Sequence, residues 1–435
     1  MAEMKIKFVD LFAGIGGIRL GLESSLMAIN MESECVFSSE IDLKAQSTYE
    51  SNFGEKPWGD IREAKNLPKH DILLAGFPCQ PFSYAGKQRG FGDTRGTLFF
   101  EIERLIESSQ PEMFLLENVR GLISHDGGRT LKTIYSNLER LGYGVSHVLL
   151  NSALHGVPQN RMRVYIVGIK NHKPLITIPE DLKFVDTHAY TRSQPTLFED
   201  STSKDLTVRD VLEENPDNRF RCSLEFTAML RKYVQGDFSK LDGMRLIDSR
   251  NGNSIHSWEL GLRGKCSAQE IRLMNAIIAN RRKNVFGTHQ DGKALTIHQI
   301  KTFFNTPQVK ELLHGLVEKG YLRRVDGKYS PTIGNMSFEV FKFLDPNSIS
   351  ITLVSSDANR IGVVDALGPR RITVREAARL QGFPDSFKIH PNDNAAYHQF
   401  GNSVSVPVIS KVLSNVFENN KTKLTFLRTL VSVAS

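Results

Sequence analysis

The chain has 435 residues, 40% hydrophobic and 24% charged, the balance of a globular protein with a substantial core. No apolar run approaches the roughly 20 residues needed to cross a bilayer, so no membrane partner is expected. The net charge of +7 is uneven: residues 219–330 hold twenty Lys plus Arg against ten Asp plus Glu, leaving the remainder slightly acidic. A basic middle segment in a slightly acidic body suggests a polyanion held mainly by the middle.

Cys35, Cys79, Cys222 and Cys266 are too few and too scattered for a disulfide framework or a zinc site. No metal is therefore expected, and a reducing cytoplasm is the expected compartment. The first strand starts within the first few residues, leaving no room for a signal peptide.

In chain order, residues 5–10, 34–39, 71–75, 112–117, 145–150 and 164–169 read as strands. Between them 17–29, 43–52, 96–108 and 129–141 carry apolar residues at helical spacing. This alternation predicts an α/β fold with a doubly wound, mostly parallel sheet. Residues 172–205 are rich in Pro, Thr, Ser and Asp and read as a linker. Farther on, 295–304 and 308–320 look like two helices, followed by a hairpin turning at Asp326-Gly327. Helix, helix and basic hairpin over 295–330 is the layout of a winged helix. A capping box at Thr373–Glu376 opens another helix, and a last helix over about 404–418 should return to the first sheet.

The chemistry gathers at predicted strand ends, where an open α/β sheet binds its ligands. Asp10-Leu11-Phe12-Ala13-Gly14-Ile15-Gly16-Gly17 follows the first strand and opens a helix, without the pyrophosphate fingerprint Gly-x-Gly-x-x-Gly. Glu40 ends the second strand, where an acid can hold ribose hydroxyls, and Asp60 can accept from an adenine amine. These describe a nucleoside pocket without a pyrophosphate grip, which suits S-adenosylmethionine better than NAD. Cys79 sits in Gly76-Phe77-Pro78-Cys79-Gln80-Pro81-Phe82-Ser83, after an apolar strand, as a candidate nucleophile. Glu117, in Glu117-Asn118-Val119, should face the same edge as a general acid. Arg161 and Arg163, in Gln159-Asn160-Arg161-Met162-Arg163, bring guanidinium groups toward it.

Taken together, these motifs resemble those of a bacterial cytosine-5 DNA methyltransferase of the type II restriction-modification class. The likeness continues through Arg95–Phe100, Arg375–Pro384 and Gly401-Asn402-Ser403-Val404, covering about residues 5–170 and 372–412. The family carries its variable target-recognition region in the interval between. The resemblance implies a methyltransferase fold with a catalytic domain over 1–175, completed by 390–435, and a smaller target-recognition domain over 176–389. It implies that Cys79 adds to carbon 6 of a flipped cytosine, that Glu117 contacts nitrogen 3, that Arg163 holds the carbonyl at position 2 and that Arg161 orients neighbouring groups.

For the S-adenosylmethionine pocket the resemblance assigns Phe12, Gly14, Gly16, Gly17, Glu40, Ile41, Asp60, Pro78, Leu98 and Asn402. Position 41 is often aromatic in the family, so Ile41 departs from the pattern. The loop 83–95 resembles one that closes on double-stranded DNA, with Ser83, Lys87, Arg89 and Arg95 as its contacts. Within the insert, Arg281, Arg282, Lys283, Arg323 and Arg324 are further candidates for DNA. A functional pairing with a restriction endonuclease and a monomeric state are expected, and the insert bears a faint resemblance to those acting on GG…CC-type sites. A transfer-RNA cytosine methyltransferase shares the catalytic set, but that branch usually has a Cys-Phe-Thr element, whereas Cys222 and Cys266 are each followed by serine. An idle DNA-binding protein would not need Cys79, Glu117, Arg161 and Arg163 together.

Overall fold

The computed structural model describes residues 5–78, 98–185, 206–288, 293–332 and 338–427. Cys79, Ser83, Lys87, Arg89 and Arg95 lie outside the described residues. The chain divides into two compact units. The first comprises residues 1–213, 347–359 and 374–435; the second comprises 214–346 and 360–373. The chain re-enters the first unit at residues 347–359 and again from Val374, ahead of the return expected at residue 390, and the Val374–Leu380 helix belongs to that unit.

The first unit is built on a six-stranded sheet. Its elements are β1 (Ile6–Leu11), α1 (Gly17–Met27), β2 (Ser33–Ser39), α2 (Leu43–Phe53), β3 (Ile72–Gly76), α3 (Leu98–Ser109) and β4 (Met113–Val119). There follow the short α4 (Gly121–Ser124), α5 (Arg129–Arg140), β5 (Tyr143–Asn151) and β6 (Met162–Lys170). The strand order is β2-β1-β3-β4-β6-β5. β1 runs parallel to β2 and β3, and β3 to β4, while β6 is antiparallel to both of its neighbours. The exception has a simple cause. Only a single 3-10 turn, Ser152–Leu154, stands between β5 and β6, so the chain folds straight back without a crossover helix.

The sheet is apolar on both faces, as parallel strands buried on both sides must be. One face packs Phe8, Leu74, Leu115 and Val167 against α1 and the helix Val406–Asn419. The other packs Val9, Leu73, Phe114 and Ile166 against α3 and α5. This two-sided burial fixes the register of the central strands, and with it the residues that emerge together at their carboxyl ends. Leu11 pairs with Ser39 on one side and Ala75 on the other, and Gly76 pairs with Glu117.

The second unit holds two small sheets. One has five short strands, including the hairpin Ile361–Asp365 with Gly368–Arg371. The other has three strands, with Lys328–Pro331 between Leu322–Val325 and Leu295–Thr296. Its core joins Trp258, Leu273, Ile277, Leu313 and Tyr321. Residues 295–304 differ from the single helix expected. Leu295–Thr296 is a strand, and Thr296 then caps a short helix, Ile297–Lys301. The Thr296 hydroxyl accepts from Gln299 N at 3.2 Å, and Gln299 Oε1 accepts from Thr296 N at 2.9 Å. This capping box starts the helix two residues late and frees Leu295 to pair with Tyr329. The hairpin turns at Asp326 and Gly327, both with positive φ, as a tight two-residue turn requires. Among the described residues no helix is long and apolar enough to span a membrane.

Candidate active site

A cavity of about 630 Å³ opens at the carboxyl edge of the sheet, entirely within the first unit. Phe12, Gly14 and Gly17 line it from the turn after β1, and Glu40, Ile41 and Asp60 from the region after β2. Pro78, Leu98, Glu117, Arg161, Arg163 and Asn402 complete the set of expected residues along its wall. Gly16 is absent from the lining. It caps α1 with φ of 85°, and a Cβ there would lie 2.3 Å from Cε2 of Phe53. Its requirement is steric, since only glycine fits both the backbone and the packed ring.

The turn is tightly wound. Phe12, Gly14 and Gly16 all take positive φ, and Phe12 does so without the freedom of glycine. Such strain in a non-glycine residue tends to concentrate at functional sites. Glu40 stiffens the turn from across the cavity: Oε2 accepts from Gly14 N at 2.9 Å and Oε1 from Asp42 N at 2.8 Å. Burial raises the pKa of Glu40, and these two amides partly offset that rise. Asp60 accepts from Arg62 N at 3.0 Å, and the Arg62 guanidinium holds its carboxyl below the usual carboxylate range. Ile41 is 71% exposed although it lines the cavity, so it offers an open apolar surface.

On the opposite side, Arg163 Nε stands 2.9 Å from Glu117 Oε1, and Arg163 Nη1 donates to Met162 O at 2.9 Å. Arg161 plays a different part. Its guanidinium donates to Leu353 O at 2.9 Å and also to Ser403 O, so it ties two backbone segments to the cavity wall. Three cysteines are poor nucleophiles: burial pushes the thiols of Cys35 and Cys222 up to about 12 and that of Cys266 to about 11. Pro78, the residue immediately before Cys79 in sequence, lines the cavity.

Sequence reasoning missed Ser39, His398 and Gln399, which also line the cavity. Asp393–Asn402 is a helix that the elements read from the sequence did not include. Its 3.6-residue period brings 398 and 399 round to the face of Asn402, a relation that a helix read over those residues would reveal. The Ser39 hydroxyl and the Gln399 amide nitrogen are buried without a hydrogen-bond partner among the described residues. Glu40 and Asp60 on one wall, beside the glycine turn, fit a nucleoside-bearing methyl donor. Among the described residues no cluster of His, Cys, Asp or Glu is placed to hold a metal.

In the second unit Arg282, Lys283, Arg323 and Arg324 are exposed. Arg281 is not. It is 3% exposed, because it ends the helix Ala268–Asn280 with its carbonyl accepting from Lys293 N at 3.0 Å. Its burial removes it from the candidate DNA contacts.

A doubly wound sheet with a cavity at the carboxyl ends of its strands defines an α/β protein of the kind that binds its ligand at that edge. The chain belongs to the C-5 cytosine-specific DNA methylase family, which it matches over residues 6–418, and it is a DNA cytosine-5 methyltransferase. It is 60% identical over 421 residues to the type II methyltransferase M.BanI of Aneurinibacillus aneurinilyticus, covering 97% of this chain and 98% of that one. To the type II methyltransferase M.HgiCI of Herpetosiphon aurantiacus it is 58% identical, over 95% of this chain and 98% of the relative. Among solved structures it resembles the Dnmt2 methyltransferase of S. pombe, with a TM-score of 0.52 at 16% identity, over 95% of this chain and 99% of that one. A putative DNA modification methyltransferase encoded within an E. coli prophage gives 0.51 at 22%, with the same coverage. At these identities the structural likeness concerns the fold.

Proposed function

We propose that the protein methylates one cytosine within a specific double-stranded DNA sequence, through a covalent adduct between Cys79 and the flipped base. The observation that carries this reading is the convergence of Glu117, Arg163 and the Gly14–Glu40 turn on one cavity. Carbon 5 of cytosine is a weak nucleophile. Addition of the Cys79 thiolate to carbon 6 turns the ring into an enamine whose carbon 5 can attack an electrophilic methyl group. S-adenosylmethionine supplies that methyl on a sulfonium centre. Glu117 contacts nitrogen 3 and stabilises its protonated form during addition, while Arg163 holds the carbonyl at position 2. Arg161 keeps the wall around them in place through Leu353 and Ser403. Loss of the carbon 5 proton to a base then expels the Cys79 thiolate and restores the aromatic ring.

The target atom is shielded in a duplex, so the base must leave the stack at a cost of about a few kcal/mol. The second unit supplies target recognition, with its exposed Arg282, Lys283, Arg323 and Arg324 meeting DNA phosphates. The type II relatives support a pairing with a restriction endonuclease in the bacterial cytoplasm.

The test is bisulfite sequencing of plasmid DNA treated with the purified protein and S-adenosylmethionine, with Cys79→Ala alongside. Protected cytosines confined to one short motif, and absent with the variant, are expected. Protection that persists in Cys79→Ala would remove the covalent step. Absence of any protected cytosine, despite donor binding, would point to RNA.

A further inference from the structure

The five-stranded sheet of the second unit carries one row of residues in register across four of its strands. In the strand Lys342–Phe343, Lys342 pairs with Arg245 of the antiparallel Arg245–Leu246 and, on its other side, with Ile361. Arg245 pairs in turn with Ser254 of the parallel edge strand Ser254–Ile255. Residues paired in a ladder project from the same face, so a lysine and an arginine stand directly opposite each other there. The row opens toward the edge of the sheet: Ile361 is 1% and Lys342 8% exposed, whereas Arg245 and Ser254 are half-buried.

Like charges opposed across a sheet are destabilising. Beside the same sheet, Arg221 Nη1 and Arg370 Nε are neutralised by the two oxygens of Asp365, at 2.6 and 2.8 Å. The Lys342–Arg245 step has no such counterion. The Lys342 ammonium donates to Gly243 O, and Arg245 has no hydrogen-bond or ion-pair partner among the described residues. Asp248, in the loop after Arg245–Leu246, is turned inward and accepts from Ser257 N at 2.8 Å and Ser257 Oγ at 2.7 Å. Arg250, exposed in that loop, adds a further positive charge. Burial and Arg250 hold the Arg245 guanidinium below its usual range. Burial and Arg245 push the Lys342 ammonium down to about 8, against the opposing charge of Asp345. Cations gathered at a sheet edge without a counterion suit an anion brought from outside.

We infer that Arg245 and Arg250 grip a backbone phosphate of the bound DNA, with Lys342 reinforcing the site from beneath. The inference rests on the reading of the second unit as the target-recognition unit and adds to it a contact separate from the basic hairpin. The free protein then carries a repulsion that the DNA relieves.

Arg245→Met tests this, because it keeps the unbranched stem, removes the charge and breaks no hydrogen bond. Thermal melts of the free variant should show a midpoint equal to or above that of the wild type, since the repulsion from Lys342 and Arg250 is gone. In a fluorescence titration with duplex DNA over a salt series, Arg245→Met should bind more weakly and lower the slope of log K against log salt by about 0.9. Arg250→Ala should do the same. The loss should agree within about twofold between a duplex carrying the methylated motif and one lacking it, because a phosphate contact carries no sequence information. An unchanged slope in Arg245→Met would overturn the inference. A loss confined to the motif-bearing duplex would overturn it too, by assigning the arginine to a base edge. A midpoint well below that of the wild type would do so by showing that Arg245 holds the fold. Failure of the wild type to bind duplex DNA would instead remove the target-recognition reading itself.

Discussion

Arg163 Nε and Glu117 Oε1 meet at 2.9 Å because their strands set them diagonally on one face of the sheet. Glu117 pairs with Tyr165 and Val119 with Arg163, so the two side chains project the same way, one pleat apart. Both are largely buried, and removing one partner of such a pair leaves an uncompensated charge. Glu117→Ala should lower single-turnover methylation by about 10²–10⁴-fold and destabilise the fold by about 3 kcal/mol. Glu117→Gln should keep most of the stability and still lose the rate. Full turnover by Glu117→Gln would eliminate the proposed contact at nitrogen 3.

Arg161 is predicted to act through the backbone it holds. Replacing it by alanine deprives the buried carbonyl of Leu353 and the part-buried carbonyl of Ser403 of a charged donor. Urea denaturation should show a loss of about 2–6 kcal/mol, at about 1–3 kcal/mol per unsatisfied group. Donor affinity should fall with it, because Ser403 and Val404 line the cavity. An unchanged midpoint would mean that other interactions hold these segments.

Asp10 introduces a pH dependence of stability. Its carboxyl is fully buried near the end of β1, beside the Tyr49 hydroxyl, and is pushed up to about 7 by burial. Arg19 opposes that rise, while Glu23 and Glu40 add to it. The folded state therefore holds a proton that the unfolded chain releases near pH 4. This contribution is complete below pH 4, declines as pH rises toward 7 and is lost above it. Asp10→Asn should remove that part of the decline. Thermal melts at pH 5 and pH 8 should differ less for the variant than for the wild type, by an amount on the order of a few kcal/mol. Identical slopes would mean that Asp10 titrates normally.

The basic hairpin of the second unit should be read by salt. Arg323 and Arg324 are exposed on Leu322–Val325, whereas Arg281 is buried. Removing one arginine–phosphate interaction should reduce the slope of log K against log salt by about 0.9. The double variant Arg323→Ala with Arg324→Ala should therefore shift it by about 2 in a fluorescence titration with duplex DNA. Arg281→Ala should lower thermal stability and leave the slope unchanged. An unaltered slope in the double variant would take the hairpin off the DNA.

Much of the site was legible because its chemistry is local. The run Phe12–Gly17, Glu40, Asp60 and the strand before Glu117 each announce themselves by residue type next to an apolar run. Their meeting at one edge follows from parallel strands sharing a direction. Gln399 was not legible in the same way. An amide on a helix is ordinary, and only the hydrogen bond with Thr48, 351 positions away in sequence, shows how it is held in the cavity wall.

The sequence by itself determined the α/β alternation, the glycine turn and the order of the acids and arginines, since short-range periodicity and turn chemistry encode them. Tertiary structure alone decided that β6 inserts between β4 and β5, that Arg161 clamps Leu353 and Ser403, and that Arg281 is buried. Those outcomes depend on which distant segments share a core. Burial and hydrogen-bond partnership are properties of the packed whole, and no local window of residues carries them.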